Sequence, residues 1–278
     1  TEEDREAALA IKDGYLNAEV GRYGDTVTYE WSTRFPEAMT AETRGIFAQW
    51  HGRPDRTLIE DEKGIRVLSV AEFLRVQKTI EFKKDGWGYS RETGDRTAMR
   101  VDAAAGGPIG AFKIGRAYLY LLMRSEASRR SDNAVKIKPR PSQPAGHVMK
   151  SGTKEAALIW KVPLSRIPIN EWVDFKVRIH YSEYAADDDR VTEPGRVTVW
   201  MNGEQTADWK GNVGKNDILG PYFKFGIYKP GPGGFKVDHA GYKRTIERTR
   251  KGTVLRHPLK NRKTFRQDTS GERGKPRP

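Results

Sequence analysis

Trp172-Val173-Asp174-Phe175-Lys176-Val177-Arg178-Ile179-His180-Tyr181-Ser182 is the stretch that decides how the rest of the chain reads. Phe175, Val177, Ile179 and Tyr181 fall on one side, and Asp174, Lys176, Arg178 and His180 on the other. A strict period of two is a strand with one buried face. Arg196–Met201 alternates in the same way and runs into Asn202-Gly203. Both of those residues tolerate positive φ, so a tight hairpin is predicted there. Thr26–Phe35, Gly45–His51, Ile65–Val70, Tyr118–Met123, Ala156–Leu164 and Tyr222–Tyr228 read as further strands. Helical signals are weak: residues 2–12 and Val70–Gln77 predict short helices. Ser125–Lys150, with several Arg, Lys, Ser and Pro, reads as a long loop or lid. Many short strands separated by turn residues predict an all-β fold, an antiparallel jelly-roll sandwich with a concave substrate cleft and long loops.

The 278 residues include no cysteine, which excludes disulfides, a thiol nucleophile and a cysteine-ligated zinc site. No apolar run approaches membrane-spanning length. The opening TEEDREAALA is polar and acidic and does not read as a signal peptide. The formal charge is +13, and its placement is uneven: Lys243–Pro278 holds thirteen Lys or Arg against three acids. The expected division is therefore a β domain over 1–242 and a basic extension over 243–278. Such an extension is either a loosely packed tail or an arm for a polyanion.

Two strands collect polar side chains on one face. In Phe47-Ala48-Gln49-Trp50-His51, Gln49 and His51 project together while Ala48 and Trp50 point to a core. In Tyr222-Phe223-Lys224-Phe225-Gly226-Ile227-Tyr228, Phe223, Phe225 and Ile227 are expected to form the apolar face. Tyr222, Lys224 and Tyr228 then line the other face, with Gly226 leaving a gap for a ligand. This set suits β-elimination at a uronic acid. An amide or cation neutralises the carboxylate, a neutral His or deprotonated Tyr takes the C5 proton, and a Tyr hydroxyl protonates the leaving oxygen. A surface or structural histidine and ordinary half-exposed strand tyrosines remain the alternative reading of the same residues.

Gln49-Trp50-His51-Gly52 and Tyr222–Lys229 resemble two signature strands of heparin lyase I-type enzymes (polysaccharide lyase family 13). Glu171–Phe175 and the Val199–Gly203 hairpin are similar to that family too, and the resemblance spans roughly residues 15–242. A more distant similarity is to jelly-roll alginate lyases, with their Gln-x-His and Tyr-Phe-Lys-x-Gly-x-Tyr strands. The resemblance implies His51 as general base, Tyr228 as general acid and Gln49 as a neutraliser of the carboxylate. It implies Lys224, Tyr222 and Lys229 as contacts to the acidic sugar, and Arg53 and Arg56 as sulfate contacts. A structural calcium ion is implied as well, with Asn216 and Asp217 as candidate ligands and Ala186–Asp189 as a second oxygen-rich stretch. One departure stands out: Asn17-Ala18-Glu19-Val20 replaces the Arg-x-Glu-Leu strand of alginate-type lyases and has no arginine at its first position.

The expected activity is cleavage of heparin or heparan sulfate to 4,5-unsaturated uronate products. The expected setting is periplasmic or secreted, with a monomeric chain, an acidic polysaccharide partner, and neither nucleic acid nor membrane. Two alternatives stay open. One is a lyase for an unsulfated uronate polymer such as glucuronan or alginate. The other is a non-catalytic glycan-binding module using Trp87, Trp200 and Trp209 as stacking platforms.

Overall fold

The computed structural model describes residues 23–52, 58–62, 64–68, 70–83, 86–101, 108–128, 137–185, 189–217, 220–228, 231 and 234–248. Two antiparallel sheets pack face to face. The first has the order β16 (Glu204–Gly211), β15 (Gly195–Met201), β12 (Trp172–His180), β1 (Thr26–Arg34) and β19 (Asp238–Glu247). The second runs β10 (Val148–Ser151), β11 (Lys154–Pro163), β9 (Tyr118–Glu126), β8 (Pro108–Gly115), β2 (Gly45–His51) and β18 (Tyr222–Tyr228). A short β17 (Gly214–Lys215) joins β9 in parallel. The all-β antiparallel sandwich read from the alternation is the fold observed.

The core between the sheets follows from that alternation. Val173, Phe175, Val177 and Ile179 of β12 are fully or almost fully buried, as are Val27, Tyr29 and Trp31 of β1. They meet Ala48 and Trp50 of β2, Phe112 of β8, and Leu119, Leu121 and Met123 of β9. Aromatic rings dominate the seam: Trp31 stacks on Phe175 at 5.5 Å and meets Phe112 edge-on at 5.5 Å. Such pairs add about 0.5–1.5 kcal/mol beyond their buried area.

A smaller sheet lies between β2 and β8 in the chain. Its order is β4 (Gly64–Val67), β3 (Leu58–Asp61), β7 (Arg96–Val101), β6 (Trp87–Ser90) and β5 (Ile80–Phe82). With α1 (Val70–Thr79) it forms a separate cluster around Ile59, Leu68 and Val101. The helix predicted at Val70–Gln77 is therefore present, and the strand predicted at Ile65–Val70 is shorter and belongs to this sheet. β13 (Glu183–Tyr184) and β14 (Val191–Glu193) pair as a two-stranded ribbon. A one-turn 3-10 helix covers Leu164–Arg166. The helix expected over residues 2–12 lies outside the described residues.

Three expectations need correction. The long loop placed at Ser125–Lys150 is narrower: β9 extends to Glu126 and β10 begins at Val148. The division at residue 242 cuts through β19, which pairs along β1 from Arg34↔Asp238 to Thr26↔Glu247. Lys243 and Arg244 are thus strand residues. They read as a tail because an exposed edge strand is mostly charged and shows little apolar alternation. Ile227, assigned to the apolar face of β18, is 42% exposed, because the pairing with β2 shifts register between Phe225 and Tyr228.

Candidate active site

β2 and β18 are antiparallel neighbours, and their register lays the polar residues out as a row. His51 sits across from Tyr222, Gln49 across from Lys224, and Ile46 across from Tyr228. Ala48 and Trp50, between them in sequence, are fully buried in the core. His51 and Gln49 therefore share the opposite face, as their spacing predicted. At Gly226 the backbone takes φ +117, and a Cβ built there meets nothing within 4 Å. This opening accompanies the register shift that brings Tyr228 opposite Ile46. His51 and Tyr228 are at opposite ends of the row, five β2 positions or roughly 16 Å of strand apart, with Gln49 and Lys224 between them.

His51 is half-buried, and its ring lies 5.4 Å from that of Tyr222. Its Nδ1 is 3.0 Å from the Gly52 carbonyl, which can only accept, so Nδ1 carries the hydrogen. In the neutral ring the lone pair is then on Nε2. Burial lowers the His51 pKa below its ordinary 6.5; the Gly52 hydrogen bond opposes this, and the charges of Lys224 and Lys215 reinforce it. At neutral pH the imidazole is an unprotonated base. Gln49 is 4% exposed, and its Oε1 has no hydrogen-bond partner among the described residues. Leaving a buried amide oxygen unsatisfied costs about 1–3 kcal/mol. Native proteins keep such a group where a ligand or strained site uses it.

Cations crowd the same face. Lys224 stands over the Tyr222 ring at 5.8 Å. Alternation along β9 and its neighbours adds Lys113, 5.9 Å from the Tyr120 ring, and Lys161, 4.9 Å from that of Tyr118. Lys161 also donates to the carbonyls of Pro141 and Gln143, both at 2.9 Å. Arg124, on β9, donates at 3.5 Å to Pro108, the residue paired with His51. Sequence reading missed Lys113, Arg124, Lys161 and Lys215. The parity of Tyr118, Tyr120, Leu122 and Arg124 was available, but the strand was ended at Met123. Arg53, Arg56 and Lys229 lie outside the described residues. The three tryptophans of the binding-module reading do not share a surface. Trp87 belongs to the small sheet beside Arg96, Trp200 pairs with Lys176 on the first sheet, and Trp209 packs against the core.

A family model described as polysaccharide lyase matches residues 7–247. The chain belongs to the polysaccharide lyase family. It is 29% identical over 248 residues to heparin lyase I of Pedobacter heparinus, covering 80% of this chain and 64% of that protein. The chain thus spans less than two thirds of that relative's length. Among solved structures, endo-β-1,4-glucuronan lyase from the fungus Trichoderma reesei superposes with a TM-score of 0.43 at 13% identity, covering 81% of this chain and 70% of that one. Alginate lyase AlyC3 gives a TM-score of 0.39 at 10% identity, over 81% and 66% of the two chains.

In this member of the family the candidate calcium ligands occupy a buried polar cluster beside the row. Asn216 is 4% and Asp217 5% exposed, and Glu126 is 5% exposed. The Asn216 amide reaches the carbonyl oxygens of Ala127 at 3.0 Å and Ala185 at 3.1 Å. Two buried carboxylates, one side-chain amide and two converging carbonyls form an oxygen-rich set of the kind a hard cation takes. As drawn, the amide nitrogen of Asn216 satisfies the two carbonyls; turned over, its oxygen joins them as a donor. Lys154 and Lys215 approach Glu126 at 3.7 and 3.5 Å and balance its charge. The oxygen donors are of the type calcium takes, although no group of three or more acidic or imidazole side chains among the described residues is placed to hold a metal ion. Of the second oxygen-rich stretch, Ala186, Asp187 and Asp188 lie outside the described residues.

Proposed function

We propose that this chain cleaves heparin or heparan sulfate by β-elimination at the uronic acid. The observation that carries the reading is a histidine held neutral, with its Nε2 lone pair available, on a sheet face rich in cations. His51 Nε2 takes the proton from C5, and the C5–H pair becomes the C4=C5 double bond. The C4–O bond breaks, and the leaving oxygen takes the hydroxyl proton of Tyr228. The substrate carboxylate acquires electron density as C5 loses its proton, and the Gln49 amide with the Lys224 ammonium stabilises it. No covalent enzyme intermediate forms. C5–H and the C4–O bond are adjacent on one sugar, so the mechanism requires the His51 and Tyr228 side chains to converge along the row over Gln49 and Lys224.

The choice of a sulfated polymer is supported by the similarity to a protein named heparin lyase I, and by the surplus of cations over what one carboxylate needs. A polymer of this size is met outside the cytoplasm, so the proposed setting is periplasmic or secreted, with the chain working as a monomer. No helix among the described residues is long and apolar enough to cross a membrane. We also propose a structural calcium ion held by Glu126, Asn216 and Asp217 with the carbonyls of Ala127 and Ala185. It would tie the end of β9 to the segment that leads into β18.

The test is ultraviolet absorbance of the unsaturated uronate on heparin, heparan sulfate, glucuronan and alginate. A rise on the sulfated polymers is expected, cut about 10²–10⁴-fold in His51→Ala and in Tyr228→Phe. A rise on glucuronan or alginate alone would keep the mechanism and overturn the substrate. Binding without any rise would sink the enzyme. Chelation followed by calcium return is expected to lower and then restore the thermal midpoint, and a midpoint indifferent to both would remove the ion.

A further inference from the structure

Residues 118, 120, 122 and 124 of β9 alternate onto the face that carries His51, while Leu119, Leu121 and Met123 enter the core. Arg124 is the last of this set and is half-buried. Its only hydrogen bond among the described residues is the 3.5 Å contact from Nη1 to the Pro108 carbonyl, at the outer limit for such a bond. Pro108 belongs to β8, which separates β9 from β2, and it is the residue in register with His51. The guanidinium therefore touches β8 at the position in register with His51. One strand spacing, about 4.8 Å, separates β8 from β2.

No carboxylate among the described residues pairs with this arginine. Glu126, the acid on the same strand and face, is engaged by Lys154 and Lys215. Burial pulls the Arg124 pKa down, and no neighbouring charge enters to oppose it. A guanidinium nevertheless stays protonated at neutral pH. A half-buried cation without an anion is destabilising. Such a cost survives where the site uses the charge.

We propose that Arg124 is a catalytic residue that clamps the uronate carboxylate while His51 removes the C5 proton. This rests on the lyase reading above. The guanidinium fork matches two carboxylate oxygens, and the charge that flows onto them as C5–H breaks strengthens both contacts. Arg124 thus supplies the bidentate part of the task, and Gln49 and Lys224 flank it.

The experiment compares Arg124→Met and Arg124→Lys with wild type on two forms of one substrate. These are the polymer that wild type cleaves fastest among heparin, heparan sulfate, glucuronan and alginate, and the same polymer with its carboxyls methyl-esterified. The ester carries no anion to clamp. The expected result for Arg124→Met is a loss of about 10²–10³-fold in kcat/KM on the acid form and less than about tenfold on the ester. Arg124→Lys falls between wild type and Arg124→Met on the acid. The thermal midpoint of Arg124→Met equals or exceeds that of wild type, because a buried unpaired charge has been removed. Equal losses on both forms, with a lowered midpoint, would make Arg124 a structural residue and overturn the proposal. So would full activity of Arg124→Met on the acid. A wild type silent on every polymer and ester would sink the lyase reading and this proposal with it.

Discussion

The two sheets carry similar numbers of cationic side chains and treat them differently. On the first sheet they are matched with acids. Arg178 meets Glu247 at 2.7 Å, Arg34 meets Asp238 at 2.8 Å, and Arg196 forms a bidentate pair with Asp208. Lys176 and Lys243 share Glu30 at 3.7 and 3.5 Å. On the second sheet, Lys150, Lys154 and Lys215 at one end also meet acids, whereas Lys224 and Lys161 find aromatic rings and backbone carbonyls, and Arg124 a single carbonyl. Pairing within the chain cancels the field over the first face. On the second the field is left to an anionic ligand, which steers it in and is weakened by salt. Electrostatics distinguishes the candidate binding face of this sandwich from the paired one.

The sharpest way to break this contrast is charge reversal on each face. Lys224→Glu is expected to lower kcat/KM on the preferred polymer by about 10²-fold or more, since a charge-assisted contact worth about 1.5–3 kcal/mol becomes a repulsion. Arg178→Glu, on the other sheet, is expected to change it less than about twofold. Initial rates at low and high ionic strength would check both. Comparable losses from the two variants would show that net charge matters and the face does not.

A smaller effect concerns the acid side of the pH profile. The proposed mechanism needs His51 unprotonated, and its pKa is depressed below 6.5, first by burial and then by Lys224 and Lys215. kcat/KM should therefore fall on the acid side through one protonation whose midpoint lies below pH 6.5. Removing a positive neighbour makes the imidazolium easier to form. Lys224→Gln should thus move that limb towards higher pH, besides lowering the plateau. An unmoved limb would mean that a group other than His51 sets it. Depressed folded-state values for His51 and His239 also bear on stability. Their contribution is present above pH 6.5 and is lost as pH falls through the folded values.

Much of the candidate row was legible because parity is a local property. Gln49 and His51 are two apart, so any strand that buries Trp50 must present both on its other face. The hairpin at Asn202-Gly203 was legible for the same reason, and the structure gives both residues positive φ, 52 and 82. The β8–β9 hairpin was not legible. It turns on Arg116 and Ala117 with φ 53 and 63, residue types that carry no turn signal; both are exposed, and the Ala117 carbonyl accepts from the Leu164 N–H at 2.9 Å. Register shifts were equally invisible. Phe47 lies in the core beside Ala48 because β2 slips against β8 between Ile46 and Ala48. Ile227 leaves the core because β18 slips against β2. Arg124 was lost for a third reason: β9 continues past its last apolar residue, and composition alone made the continuation look like loop.

The smallest expected effect tests the other half of the contrast. Arg178 and Glu247 are about half exposed, with side chains 48% and 55% accessible, and they join β12 to β19 across β1. An exposed pair of this kind is worth about 0.2–1 kcal/mol. A double-mutant cycle with Arg178→Ala, Glu247→Ala and the double variant should return a coupling within that range, shrinking as salt is raised. Glu247 falls in the segment that charge counting assigned to a basic tail. A measurable coupling would therefore also establish that residues 243–247 hold their place in the sheet. A coupling of zero would detach that segment from β1 and return Lys243 and Arg244 to the pool of unmatched cations. The contrast between the faces would then be one of degree, and a polyanion would have a second surface on which to bind.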